Sequence, residues 1–181
     1  MLHKSNSTNT LILKHGYICE PNLKSISRSI AKFIIEISKL QEKNFIVKDD
    51  FFLSNEKKIY SFNFYDIQKF IVLLNKHGNL PIDVNIHAFV YILRFINKSS
   101  SYKITKNNWI LIVLISYILA SKWCDDISIN NESFAYLYNN IISLKKINAL
   151  EIKFLKTINF KLLVSMKDYT EIYFELINNY L

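Results

Sequence analysis

Hydrophobic residues recur at helical spacing along most of the chain. In the first such segment they lie three, four or seven residues apart, which places them on one face of an α-helix that begins at Ser25 and runs to about Leu40. None of the segments between the periodic ones shows a convincing β-strand pattern. Further helices are predicted over residues 66–76, 81–97, 105–123, 132–139, 144–159 and 169–180.

The middle of the chain holds a helix of a different kind. The stretch from Trp109 to Ala120 is apolar on all sides and is flanked by Lys106 and Lys122. A membrane-spanning helix needs about 20 apolar residues, so this stretch is too short to cross a bilayer and is typical of a fully buried helix. We therefore predict an all-α domain in which the amphipathic helices pack around this central one.

The composition excludes several classes of enzyme. Two glycines and two prolines among 181 residues leave little turn chemistry for a β-sandwich, a barrel or a βαβ stack. The glycines, Gly16 and Gly78, lie far apart, so no glycine-rich loop could hold a phosphate group. The two cysteines and four histidines lack metal-site spacing, and no nucleophile–base set can be proposed. We expect no catalytic residue, no metal, no cofactor and no small-molecule substrate.

The net charge leaves two kinds of partner open. Twenty-three Lys and Arg against 15 Asp and Glu give +8, which could serve binding to nucleic acid or to an acidic membrane surface. However, only Arg28 and Arg94 are arginines, the usual readers of bases and phosphates, and the lysines are scattered. We therefore expect that nucleic acid is not the partner. The N-terminal residues lack an apolar signal core, which predicts an intracellular protein of the cytoplasm or nucleus, without a membrane partner.

Two opposite charges fall within apolar stripes. Glu151 lies four residues after Ile147 and three before Phe154, and Lys122 follows Ile118 and Leu119 on the central helix. Charges beside a core are costly unless they are paired or kept at its margin. The pair is therefore either an internal ion pair at the domain edge or a pair of charges at the rim of a groove that binds a partner. The spacing alone does not decide between these alternatives.

Three motifs in order resemble the cyclin box. They are YILRFI (91–96), ILASKWCDD (118–126) and ALEIKFLKTINFKLLV (149–164). The upstream helix and its distance from these motifs are most similar to the phosphate-signalling or P/U-type cyclins, with cyclin Y as a further relative. The resemblance covers roughly residues 26–177. It divides the chain into a flexible N-terminal tail (1–24), a first helix with a connecting segment (25–60), a single cyclin box of about five helices (61–164) and a C-terminal helix (165–181).

The resemblance implies a regulatory protein without catalysis of its own. Such a protein binds a cyclin-dependent protein kinase as a heterodimer and activates it by packing against the C-helix of the kinase. Lys122 and Glu151 match the family's kinase-contacting lysine and its partner glutamate, and Trp123 holds the aromatic position after that lysine. The apolar positions of the kinase-binding patch are matched by Leu155, Phe160 and Leu162.

The chain departs from many cyclins at two places. Leu93 stands where many cyclins have an aspartate, and the arginine that would pair with it is also absent from the helix at 66–76. The family's Met-Arg-x-Ile-Leu substrate-docking patch is missing between Tyr65 and Leu74. The alternative function is that of a cyclin-fold scaffold that binds nucleic acid or takes part in transcription, since one fold can host both functions.

Overall fold

A computed structural model of the chain describes residues 12–14, 17–19, 22–42, 60–98, 103–126, 129–138 and 142–178. Most of the predicted N-terminal tail and of the connecting segment lies outside these ranges. The described residues confirm the all-α fold, and every predicted helix is present. The helices are α1 (Leu23–Glu42), α2 (Phe64–Gly78), α3 (Ile82–Lys98), α4 (Trp109–Cys124), α5 (Asn131–Leu137), α6 (Leu144–Thr157) and α7 (Met166–Asn178).

A short hairpin precedes the helices. Two three-residue strands, β1 (Ile12–Lys14) and β2 (Tyr17–Cys19), pair antiparallel with Ile12 opposite Cys19. The hydrophobic pattern did not indicate these strands, because three residues are too few to show a two-residue alternation.

The apolar stretch forms the centre of the molecule, as predicted. Every residue of α4 from Trp109 to Ser121 is buried. Helix α3 packs along α4, α2 and α6 also contact it, and α1 packs mainly on α2 and α7. Within the described ranges, no helix combines the length and the apolar content that crossing a membrane requires.

A buried network of polar side chains joins three helices inside this core. Asn75 of α2 and Asn85 of α3 exchange two amide hydrogen bonds of 2.8 Å each. The Tyr117 hydroxyl of α4 donates to Asn85 Oδ1 at 2.7 Å. All three residues are buried, so their mutual bonds satisfy groups that would otherwise be costly in an apolar core. The network fixes how α2, α3 and α4 meet.

Removing the hydroxyl of Tyr117 is expected to lower the free energy of unfolding by a small but measurable amount. In Tyr117→Phe, Asn85 Oδ1 keeps its bond from Asn75, so the loss is that of one hydrogen bond, about 1 kcal/mol. The melting temperature should fall by roughly 2–4 °C, as differential scanning calorimetry would measure. Tyr136→Phe is the control, because that side chain is 80% exposed and its hydroxyl is not part of the network. An equal melting temperature in both variants would contradict the network's contribution.

Helix α7 is hydrogen-bonded to both α1 and α3. Ser29 of α1 donates its hydroxyl to the carbonyl of Leu176 in α7 at 2.5 Å. Tyr169, near the start of α7, donates to the carboxylate of Asp83 in α3. These bonds hold α7 against α1 and α3, and they fix the end of the segment 158–165, which connects α6 to α7.

Candidate protein-docking site

The two charges predicted within apolar stripes form an ion pair at the edge of the core. Lys122 lies in the last turn of α4 and Glu151 in the middle of α6, and Lys122 Nζ lies 2.6 Å from Glu151 Oε1. The Lys122 side chain is 32% exposed and the Glu151 side chain is 15% exposed, so the pair is neither deeply buried nor fully solvated. The internal ion pair, one of the two alternatives, therefore exists in the free chain. It lies at the surface, where a partner could also reach the lysine.

An asparagine holds the other oxygen of the glutamate. Asn131, the first residue of α5, donates from Nδ2 to Glu151 Oε2 at 2.6 Å and to Asn148 Oδ1 at 2.8 Å. Each oxygen of the Glu151 carboxylate thus has its own donor. Asn131 was not predicted, because a single asparagine between α4 and α6 carries no periodic signal.

Exposed apolar side chains gather around a cleft that includes Trp123, the residue after Lys122. Trp123, Phe160 and Leu162, three of the residues that the resemblance assigned to the kinase-binding patch, line one open cleft of about 550 Å³. Trp123 is 47% and Phe160 is 61% exposed. Leu163, which was not predicted, lines the same cleft and is 69% exposed. Large apolar side chains at such exposure, gathered around one concave surface, are typical of a protein-binding site.

Leu155, the remaining predicted residue, has a different place. It lies one helical turn after Glu151 on α6, is half-buried and packs against the hydrophobic core. It is not among the residues that line the cleft. The exposed Ile152, also on α6, lies between Glu151 and Leu155 in sequence and adds apolar surface on the same side of the helix.

The turn after α6 projects Phe160 outward. Asn159 and Phe160 both have a φ of 54°, in the left-handed region. The N–H of Phe160 donates to the Leu155 carbonyl at 2.8 Å, a bond that closes the end of the helix. Asparagine tolerates this region, whereas a bulky residue such as phenylalanine is strained there. Backbone strain of this kind persists where the surrounding structure enforces it and often marks functional sites.

Helix α3 enforces the conformation of this segment. Arg94 donates to the carbonyl of Lys161 at 2.7 Å and to that of Leu163 at 3.0 Å, while Tyr91 donates its hydroxyl to the Leu162 carbonyl at 3.0 Å. Asp168 of α7 lies 3.5 Å from the Arg94 guanidinium. Burial raises the pKa of the Tyr91 hydroxyl, so it stays a donor at neutral pH. Tyr91 and Arg94 belong to the YILRFI motif, and their hydrogen bonds hold the backbone of the residues that line the cleft.

The cysteine next to Trp123 is not an activated nucleophile. Burial, followed by the charges of Asp83 and Asp125, raises the pKa of the Cys124 thiol beside Trp123 to about 11. That thiol is therefore protonated at neutral pH and is a poor nucleophile. Within the described part of the chain, no three His, Cys, Asp or Glu side chains gather as a metal site would require.

Comparison with known families places this site inside a shared domain. The model of the cyclin N-terminal domain matches residues 29–163. That range contains all six residues predicted for the patch, together with Tyr91, Arg94 and Asn131.

Individual relatives agree with the family match. The chain is 29% identical to cyclin-U4-3 of Arabidopsis thaliana over 103 residues, which are 57% of this chain and 46% of the relative. It is 28% identical to cyclin-U4-2 of the same plant over 120 residues, 64% and 55% of the two chains. With cyclin-U4-1 the values are 31% over 99 residues, 55% and 48%. The chain spans about half the length of the curated relatives it matches, and these matches confirm the resemblance to the P/U-type cyclins.

Proposed function

The chain belongs to the cyclin family, and on that premise we propose that it is a regulatory subunit that binds and activates a cyclin-dependent protein kinase by packing against the C-helix of the kinase. The observation that carries the proposal is the exposed apolar cleft lined by Trp123, which directly follows Lys122 of the Lys122–Glu151 ion pair on α4. The helix-in-groove mode of recognition uses such a surface, because the apolar face of a helix fills the groove and charges at the rim fix its orientation.

The apolar half of the site supplies contact area. An aliphatic or aromatic side chain of the kinase helix would enter the cleft between Trp123 and Phe160 and remove these exposed rings from water. Because Arg94 and Tyr91 already fix the backbone of residues 161–163, little further ordering would accompany docking. Residues that dominate interfaces are typically aromatic side chains in pockets of this kind.

The charged half supplies orientation. The Lys122 ammonium has three donors, and one of them is directed at Glu151, so the others could reach carbonyl or carboxylate oxygens of a partner. Lysines 145 and 156 of α6 lie on the face next to exposed Ile152, which favours a partner with acidic groups beside its docked helix. Catalysis in this proposal resides entirely in the kinase.

A binding and activity assay with purified components tests the proposal. The full chain is mixed with each member of a panel of recombinant cyclin-dependent kinases, and complexes are measured by size-exclusion chromatography with light scattering. We expect a one-to-one complex with at least one kinase and faster phosphorylation of a generic peptide substrate by that kinase when the chain is present. The chain alone should show no phosphoryl transfer.

The proposal can also fail in the same assay. If no kinase in the panel forms a complex or gains activity, the proposal is overturned. Retention of duplex DNA that weakens steeply with salt would then favour the nucleic-acid scaffold, for which the net charge of +8 is the support.

A further inference from the structure

Asn131 has an unusual balance of hydrogen bonds. Both hydrogens of its Nδ2 group are used, one for Glu151 Oε2 and one for Asn148 Oδ1. Its own Oδ1 is buried and has no hydrogen-bond partner among the described residues. A buried carbonyl oxygen without a donor is a cost to the fold, and native structures contain few of them.

The donors, and not the acceptor, set the orientation of this amide. Turning the group over would place Oδ1 against a carboxylate oxygen and another amide oxygen, so that three acceptors would face one another. The neighbouring Asn130 differs sharply, because its side chain caps α5 by accepting from the Ser133 N–H at 2.8 Å. The two adjacent asparagines thus make different contacts: Asn130 caps α5, and Asn131 binds Glu151.

We propose that Asn131 is a positioning residue of the docking site: by holding Glu151 Oε2, it presets the carboxylate and, through it, Lys122 for the partner. A glutamate side chain has three rotatable bonds, and an ion pair to a partly exposed lysine restrains only one of its oxygens. A second donor from a different helix restrains the other oxygen and reduces the freedom that would be lost on binding. This inference rests on the proposed function, since the partner is the kinase.

The expected effect of removing this donor is a loss of affinity without a matching loss of stability. Asn131→Ala deletes the hydrogen bonds to Glu151 and to exposed Asn148 but also deletes the buried, unpaired Oδ1, and these changes oppose each other in the folded chain. Affinity for the kinase that binds the wild-type chain most tightly should fall roughly ten- to a hundredfold, which is the range typical of one hydrogen bond to a charged group.

Asn130→Ala is the matched control in the full chain. It removes a side chain of the same type one position away, lowers the melting temperature through loss of the helix cap, and should leave kinase affinity within about twofold of wild type. Affinity is measured by titration calorimetry and stability by scanning calorimetry. Wild-type affinity of Asn131→Ala, or parallel losses of affinity and stability in both variants, would overturn the inference.

A second measurement does not depend on any kinase. In the ¹⁵N-labelled full chain, the side-chain amide hydrogens of Asn131 should exchange slowly with solvent, and Glu151→Ala should release one of them while leaving the backbone spectrum of the core unchanged. If wild type binds no kinase of the panel, the proposed function fails, and this exchange measurement alone decides whether Asn131 holds Glu151. Fast exchange of both amide hydrogens in the wild-type chain would show that it does not.

Discussion

Lys122→Ala and Glu151→Ala are each expected to abolish kinase association while leaving the melting temperature nearly unchanged. Docking would desolvate both charges, and truncating one would leave the other charged and unpaired in the interface. Such truncations cost about 2–5 kcal/mol, which corresponds to roughly thirty- to several-thousand-fold in affinity. In the free chain the Lys122 and Glu151 side chains are 32% and 15% exposed at the edge of the core, and ion pairs near the surface contribute about 0–1 kcal/mol to stability.

Two further variants make this result specific. Lys106→Ala removes an exposed charge from the end of α4 opposite Lys122 and should bind as wild type does, because Lys106 lies outside the cleft. Leu155→Ala should weaken binding without any charge effect, but it should also lower the melting temperature, because Leu155 packs against the core. If both charge variants melt several degrees lower and yet retain the kinase, the pair serves only the fold.

The sequence was sufficient to predict the helices and the charged pair. Of the seven helices among the described residues, periodicity identified the amphipathic ones, because each buries one face and its apolar residues recur with the helical turn, whereas a continuous apolar run identified α4. The same reasoning showed that Glu151 stands at an apolar position of α6, and the structure places Lys122 against it. A charged residue at an apolar position of a helix can be recognised from local spacing alone, whichever partner it contacts in the fold.

Other parts of the site depend on the packing between elements. Asn131 reaches Glu151 only because α5 packs against α6, and Arg94 reaches the carbonyls of Lys161 and Leu163 only because α3 lies behind that segment. Neither contact leaves a periodic trace in the chain. The positive φ of Phe160 was likewise invisible, because the left-handed region is ordinarily signalled by glycine or asparagine and not by an aromatic residue.

Phe160→Gly is expected to separate binding from stability most clearly. Relief of the left-handed conformation of a bulky residue favours the folded state by roughly 1–2 kcal/mol, while the extra freedom of glycine in the unfolded chain opposes it by about 0.5–1 kcal/mol. Since the Phe160 side chain is already 61% exposed, little core contact is lost and the melting temperature should stay at or slightly above that of wild type.

Kinase affinity should fall in the same variant. Loss of an aromatic anchor from an interface commonly costs about 2 kcal/mol or more, which is at least roughly thirtyfold in affinity. Asn159→Gly is the matched control, because Asn159 has the same φ of 54° but is not among the residues that line the cleft. It should bind the kinase as wild type does. Affinities are measured by titration calorimetry. If both glycine variants bind the kinase equally well, the kinase contact lies elsewhere than at the Trp123–Phe160 cleft. If only Phe160→Gly loses affinity, the binding energy comes from the aromatic side chain and not from the conformation of the turn.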